Sequence, residues 1–159
     1  MKLHTFLILI LCIVFGACNN SNSKTTQITS EEENQEKTPS LLGVWERTSF
    51  YNYGENGKVM DSFASSDANR HIKIFTPTKV MWCRNIEADS IEWFGYGRYT
   101  LTDSLLTEVL DYGSVEMSKY IKQNPEFVFH YNLEEDKYSQ IQIDAEGHPL
   151  FAENYIRLE

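Results

Sequence analysis

The chain has 159 residues, 42% hydrophobic and 13% aromatic, with a formal net charge of −9 at pH 7. That acidity, with no basic patch anywhere, repels phosphate backbones and argues against nucleic acid as a partner. Of three cysteines only Cys83 lies in the body of the chain, so no disulfide framework can form there and stability must come from an apolar core.

Residues 1–17, MKLHTFLILILCIVFGA, begin with Lys2 and carry an apolar run at 6–15. That run is too short for a bilayer, which needs about 20 residues, and suits the core of a secretory signal. Small residues, Gly16 and Ala17, then stand directly before Cys18. This order resembles the lipobox of bacterial lipoproteins. The resemblance implies cleavage before Cys18, acylation of that residue and a lipid anchor in the cell envelope, where each buried methylene adds roughly 0.8 kcal/mol. The alternatives are a transmembrane anchor or an ordinary secretory signal with an incidental cysteine. Asn19 stands where an aspartate would signal retention in the inner membrane, which favours the outer membrane.

Residues 18–40 then form the lipidated cysteine and a tether. Its sequence after Cys18, NNSNSKTTQITSEEENQEKTPS, holds one aliphatic residue, Ile28, and is expected to be disordered. As a flexible chain it spans about 25 Å. Its acidic cluster, Glu31 to Glu33, is read as solvation and self-repulsion. The globular domain covers residues 41–159.

Within it, residues 41–53 read as a first strand. Residues 54–69 are rich in Gly, Ser, Asp and Asn and read as a long loop with at most a short strand at 58–61. Over a barrel mouth such a loop is a lid; a plain flexible loop fits equally well. From 70 to 112 apolar and polar residues alternate through four runs, the pattern of a β-meander. A four-residue loop at 76–79 pairs Phe75 with Val80 and Lys73 with Trp82, because Pro77-Thr78 cannot supply a tight two-residue turn. A second loop at 87–90 sets Trp82 opposite Gly95 and Val80 opposite Gly97. The turn at Asp103-Ser104 sets Tyr99 opposite Glu108 and Leu101 opposite Leu106.

Opposed residues share a face. The face expected inside carries Phe75, Val80, Trp82, Tyr99, Leu101, Leu106, Leu110 and Tyr112, with His71, Arg84 and Glu108 as polar intruders. The other face leaves an apolar patch of Ile72, Ile74, Met81, Cys83, Phe94 and Tyr96. A single bulge would reverse part of this parity. Residues 113–124 read as a short helix capped by Ser114 and burying Val115, Met117 and Ile121, either across the outer patch or in a barrel end. Three more strands follow, with Phe127, Phe129, Tyr131 and Leu133 on one parity, then 138–143, then Phe151, Glu153, Tyr155 and Arg157 on one parity. The expected fold is all-β, an up-and-down antiparallel barrel of about eight strands with one short helix.

Gly43-Val44-Trp45 resembles the Gly-x-Trp signature of lipocalins, in which an arginine near the end of the last strand packs over the Trp. Arg157 stands in that place, so Trp45 and Arg157 are expected to close the barrel base. The longer run resembles more specifically a lipocalin-like (calycin-like) domain family of bacterial secreted proteins and lipoproteins. It consists of His71-Ile72-Lys73-Ile74, Met81-Trp82, Gly97-Arg98-Tyr99-Thr100-Leu101, Thr107-Glu108 and Glu153-x-Tyr155-x-Arg157. Val80, Cys83 and Tyr155 depart from the family pattern. Its members are largely uncharacterised, so the resemblance implies architecture and little chemistry.

The chemistry expected is binding, without cofactor or metal. An arginine on an aromatic inner face needs a partner, either Glu108 or a ligand carboxylate. Trp82, Arg84, Tyr99, Glu108 and Tyr112 are therefore the candidate ligand contacts, for a small apolar or amphipathic molecule. Glu108 and Glu153 are the candidate carboxylates for hydrolysis, which needs two acids facing one cavity. They are expected to be engaged instead, Glu108 with Tyr99 or Arg84 and Glu153 with Arg157, so no enzyme is expected. His71 and His130 with Glu108 are a poor metal set, and Cys83 reads as a buried inert thiol. The alternative is a solid barrel that docks a partner, or a second copy, through Ile72, Ile74, Met81 and Phe94.

Overall fold

The computed structural model describes residues 38–88 and 90–159. The leader, Cys18 and the tether as far as residue 37 lie outside the described residues. Alternation becomes nine strands and a helix. They are β1 (Gly43–Tyr53), β2 (Val59–Ala64), β3 (Asn69–Phe75), β4 (Lys79–Ile86), β5 (Trp93–Leu101), β6 (Leu105–Gly113), α1 (Val115–Gln123), β7 (Glu126–Leu133), β8 (Lys137–Ile143) and β9 (Pro149–Arg157). Strands β1 and β3 to β9 pair antiparallel with their neighbours, and β9 returns to β1, closing a lipocalin-like barrel of eight. Closure removes the exposed edges that the meander would otherwise present.

The ninth strand, β2, lies within the expected loop and extends the short strand allowed at 58–61. On one side β1 pairs with β3 from Gly43↔Phe75 to Glu46↔Ile72, then with β2 from Ser49↔Ala64 to Tyr53↔Val59. Strand β2 is exposed along its whole length and gains nothing from core burial, so its composition reads as loop.

The register of the meander follows its turns. Phe75 faces Val80, Lys73 faces Trp82, Trp82 faces Gly95, Val80 faces Gly97, Tyr99 faces Glu108 and Leu101 faces Leu106. The first loop is closed by Thr76 N–H to Lys79 O at 2.9 Å. One departure corrects the expected inner face. Tyr96 pairs with Tyr112 but Gly97 pairs with Leu110, so Asp111 is an extra residue. This bulge turns Tyr112 outward, where it is 57% exposed against the Tyr96 ring, 5.2 Å away. Gly97 permits the close approach, since a Cβ there would lie 2.1 Å from Val109 O.

One end of the barrel is solid. Leu41, Trp45, Phe75, Val80, Leu106, Phe129, Tyr138 and Tyr155 form a contiguous buried cluster. Trp45 is fully buried, donates Nε1–H to Leu41 O at 2.7 Å and meets Tyr138 edge-on. The Arg157 guanidinium lies 4.1 Å from the centre of the Trp45 ring and donates to the carbonyls of Ser40, Leu42 and Glu135. The expected closure by Trp45 and Arg157 is thus observed.

Helix α1 takes the other end. Ser114 Oγ accepts from Met117 N at 3.3 Å, and Glu116 and Lys122 complement the helix dipole at the two ends. Met117 is its buried residue, while Val115, expected inside, is 80% exposed. The helix packs on β5 and β6 at the barrel end and leaves the outer patch open. Ile74 and Met81 there are exposed, and so is Cys83, which corrects the expected buried thiol. Among the described residues no helix is long and apolar enough to cross a membrane.

Candidate ligand-binding cavity

Strand parity aims two kinds of side chain into the half of the barrel that the solid cluster leaves unfilled. Apolar residues come from β1, β4 to β7 and β9, and polar ones from β3, β4, β6, β8 and β9. Between them lies a cavity of about 260 Å³. Its wall is aromatic, built by Phe50, Trp82, Trp93, Phe127, Phe129 and Phe151, with Leu110 and Met117 completing it. Phe50 and Phe151 stack at 5.3 Å. Trp82 has room because Gly95 lies opposite; a Cβ there would sit 2.9 Å from the indole.

The polar side is a connected network. Lys73, 2% exposed, donates to Glu108 Oε1 at 2.6 Å and to Gln140 Oε1 at 2.7 Å. Its ammonium also lies between 5.7 and 5.8 Å from the ring centres of Phe75, Phe129 and Tyr155. Gln140 Nε2 donates onward to Glu153 Oε2 at 2.8 Å, and Tyr155 OH donates to the same oxygen at 3.0 Å. Arg47 donates to Glu153 Oε1 and to Asn69 Oδ1, each at 3.2 Å. Such a network is tolerable inside a barrel because each charge meets an opposite one through a hydrogen bond.

Burial raises the Glu153 carboxyl, but the His71 ring, Lys73 and Arg47 more than offset this and hold it well below the usual carboxylate range. Burial pushes His71 below its ordinary 6.5, against the pull of Glu153, so the ring is neutral at pH 7. Its Nδ1 lies 3.4 Å from Glu153 Oε1, too far for a well-formed hydrogen bond, and neither ring nitrogen has a hydrogen-bond partner. Burial also drives the Tyr138 and Tyr155 hydroxyls well above 10.0, helped by the charges of Glu108 and Glu153.

Of the expected ligand contacts, Trp82, Arg84 and Glu108 line this cavity. Tyr99 does not: it packs edge-on against Phe75 at the solid end and donates its hydroxyl to Thr76 O at 2.9 Å. Tyr112 is outside, by the bulge described above. The expected pairings are also corrected. Glu108 pairs with Lys73, and Glu153 pairs with Arg47 while Arg157 holds the base. His130 lies on the outer parity, opposite Leu105 and Ile141, so it cannot join His71 and Glu108.

Sequence reasoning missed Lys73, Arg47 and Gln140. Parity contained all three, since Lys73 faces Trp82, Arg47 follows Trp45 by two and Gln140 follows Tyr138 by two. Phe50 was less accessible, because a bulge between Arg47 and Ser49 shifts it onto the inner face.

No protein-family model and no curated protein matches the chain. Among solved structures it is similar to an uncharacterized protein from Bacteroides eggerthii DSM 20697, at 16% identity and a TM-score of 0.49, over 74% of this chain and 99% of that one. A likeness at that level carries no argument about activity. What stands is the architecture: a closed eight-stranded antiparallel barrel of lipocalin-like form, solid at one end and hollow at the other.

Proposed function

We propose that this protein is a membrane-anchored, lipocalin-like lipoprotein of the bacterial cell envelope that binds a small amphipathic molecule in its barrel. The observation that carries the reading is the cavity of about 260 Å³, with an aromatic wall and a polar network on one side. A cavity of roughly 150 Å³ holds benzene, so this one suits a ligand of about two rings or a short chain, and not a full-length lipid tail. The lipid anchor is argued from Cys18 and its leader, and the family from the run between His71 and Arg157. Native mass spectrometry of the purified protein should show a bound small molecule, or calorimetry should find one among short amphiphiles. Bare protein together with no heat from any of them would contradict the reading. Cys18→Ser should leave an uncut, unacylated precursor; normal processing of that variant would remove the lipoprotein part.

A second reading is favoured by the outer face. Ile74 and Met81 stay exposed beside Ile72 and Phe94 because α1 sits elsewhere. In that reading the patch docks a partner or a second copy. A strict monomer in size-exclusion chromatography, unchanged by Met81→Lys, would count against self-association.

A further inference from the structure

The cavity is lined by both signs of charge, and its unmet bonding capacity centres on two of its side chains, His71 and Glu108. Its lining cations are engaged: Lys73 by Glu108 and Gln140, and Arg84 by an intramolecular contact of its own. Both oxygens of Glu153 accept, Oε1 from Arg47 and Oε2 from Gln140 and Tyr155. Glu108 differs. Its Oε1 takes the Lys73 ammonium, while Oε2 accepts no hydrogen bond from any described residue, although the side chain is only 3% exposed and lines the cavity. A carboxylate has acceptor capacity on both oxygens, and both nitrogens of the buried His71 ring in the same lining are also without a partner.

A ligand's polar end can therefore donate to Glu108 Oε2 and exchange a hydrogen bond with the neutral His71 ring. A carboxylate head would bring a second negative charge onto Glu108. An ammonium head would share that carboxylate with Lys73, whose Nζ is already 2.6 Å from it. A neutral hydroxyl meets neither penalty, and the six aromatic rings supply the surface for an apolar body. Resting on the binding role proposed above, we infer that the cavity selects a compact neutral alcohol or phenol, its hydroxyl donating to Glu108 Oε2 and its apolar body packed among Trp82, Trp93 and Phe127. An acidic head group, one of the two partners expected for Arg84, is disfavoured.

The test is calorimetric titration of the full chain with three matched probes, 2-naphthol, naphthalene and 2-naphthoate. A hydrogen bond to a buried carboxylate should favour 2-naphthol over both others by about tenfold or more. In the paired variant Lys73→Met with Glu108→Leu, naphthol and naphthalene should come within about threefold of each other. Equal binding of naphthol and naphthalene by the unaltered protein, or tightest binding of naphthoate, overturns the inference but leaves a binding cavity standing. Absence of binding by all three overturns both. The probe series on the unaltered chain decides the matter even if the paired variant does not fold.

Discussion

Lys73→Met isolates the energetics of the buried network. Lys73 and Glu108 are each 2% exposed, and Nζ lies 2.6 Å from Oε1. At an effective dielectric of about 20 the bare attraction is roughly 6 kcal/mol, most of it offset by the cost of removing both ions from water. Removing one partner abolishes the attraction and keeps the desolvated charge on Glu108; it also strips Gln140 Oε1 of its shortest donor. The expected loss is about 3–5 kcal/mol, read by guanidinium denaturation followed through tryptophan fluorescence. Replacing both, Lys73→Met with Glu108→Leu, removes the uncompensated charge and should recover at least about half of that loss. A Lys73→Met cost below about 1 kcal/mol would refute the reasoning, as would a double variant whose loss is the sum of the singles.

Arg157→Lys keeps the charge but not the planar fork that reaches three carbonyls over Trp45, and should cost about 1–3 kcal/mol in the same assay. Gly97→Ala drives a methyl against Val109 O in the bulge and should cost about 2–4 kcal/mol, whereas Thr100→Ala, on the exposed parity of the same strand, should stay within about 0.5 kcal/mol. Stability should also depend on pH in a set order. His71 is depressed by burial and Glu153 by its cationic and hydrogen-bonding neighbours, so the unfolded chain binds more protons than the native one in acid. Stability should thus fall below pH 6.5 and more steeply below 4.5. Tyr138 and Tyr155 are raised, so their contribution is intact below pH 10.0 and is lost as pH climbs beyond it. His71→Phe should flatten the first decline and leave the alkaline one, measured as melting temperature against pH.

The barrel was legible in the sequence wherever turn geometry fixed the parity. Pro77 ruled out a tight turn, which set Lys73 against Trp82, and the loop at 87–90 then set Trp82 against Gly95. It failed where a single inserted residue changed the count. Asp111 reversed Tyr112, and the shift between Arg47 and Ser49 brought Phe50 into the cavity wall. Neither bulge has a local composition that distinguishes it from regular strand. Strand β2 was legible only as a short strand at 58–61, for a different reason: it is held by backbone pairing with β1 and buries no apolar face that could leave a period. The polar network was hidden by convention rather than by physics, because a lysine on an inner face reads as an exception until its partners are found across the barrel. Gln140 and Glu153 are far from Lys73 in sequence, and only closure of β9 onto β1 brings them together.

The three tryptophans offer a built-in control for the cavity. Trp82 and Trp93 line it, and Trp45 is sealed in the solid base beneath Arg157. Titration with 2-naphthol, followed through the three indole N–H resonances, should shift Trp82 and Trp93 and leave Trp45 in place. Uniform shifts of all three, or none at a saturating concentration, would contradict a ligand site in the open half of this barrel.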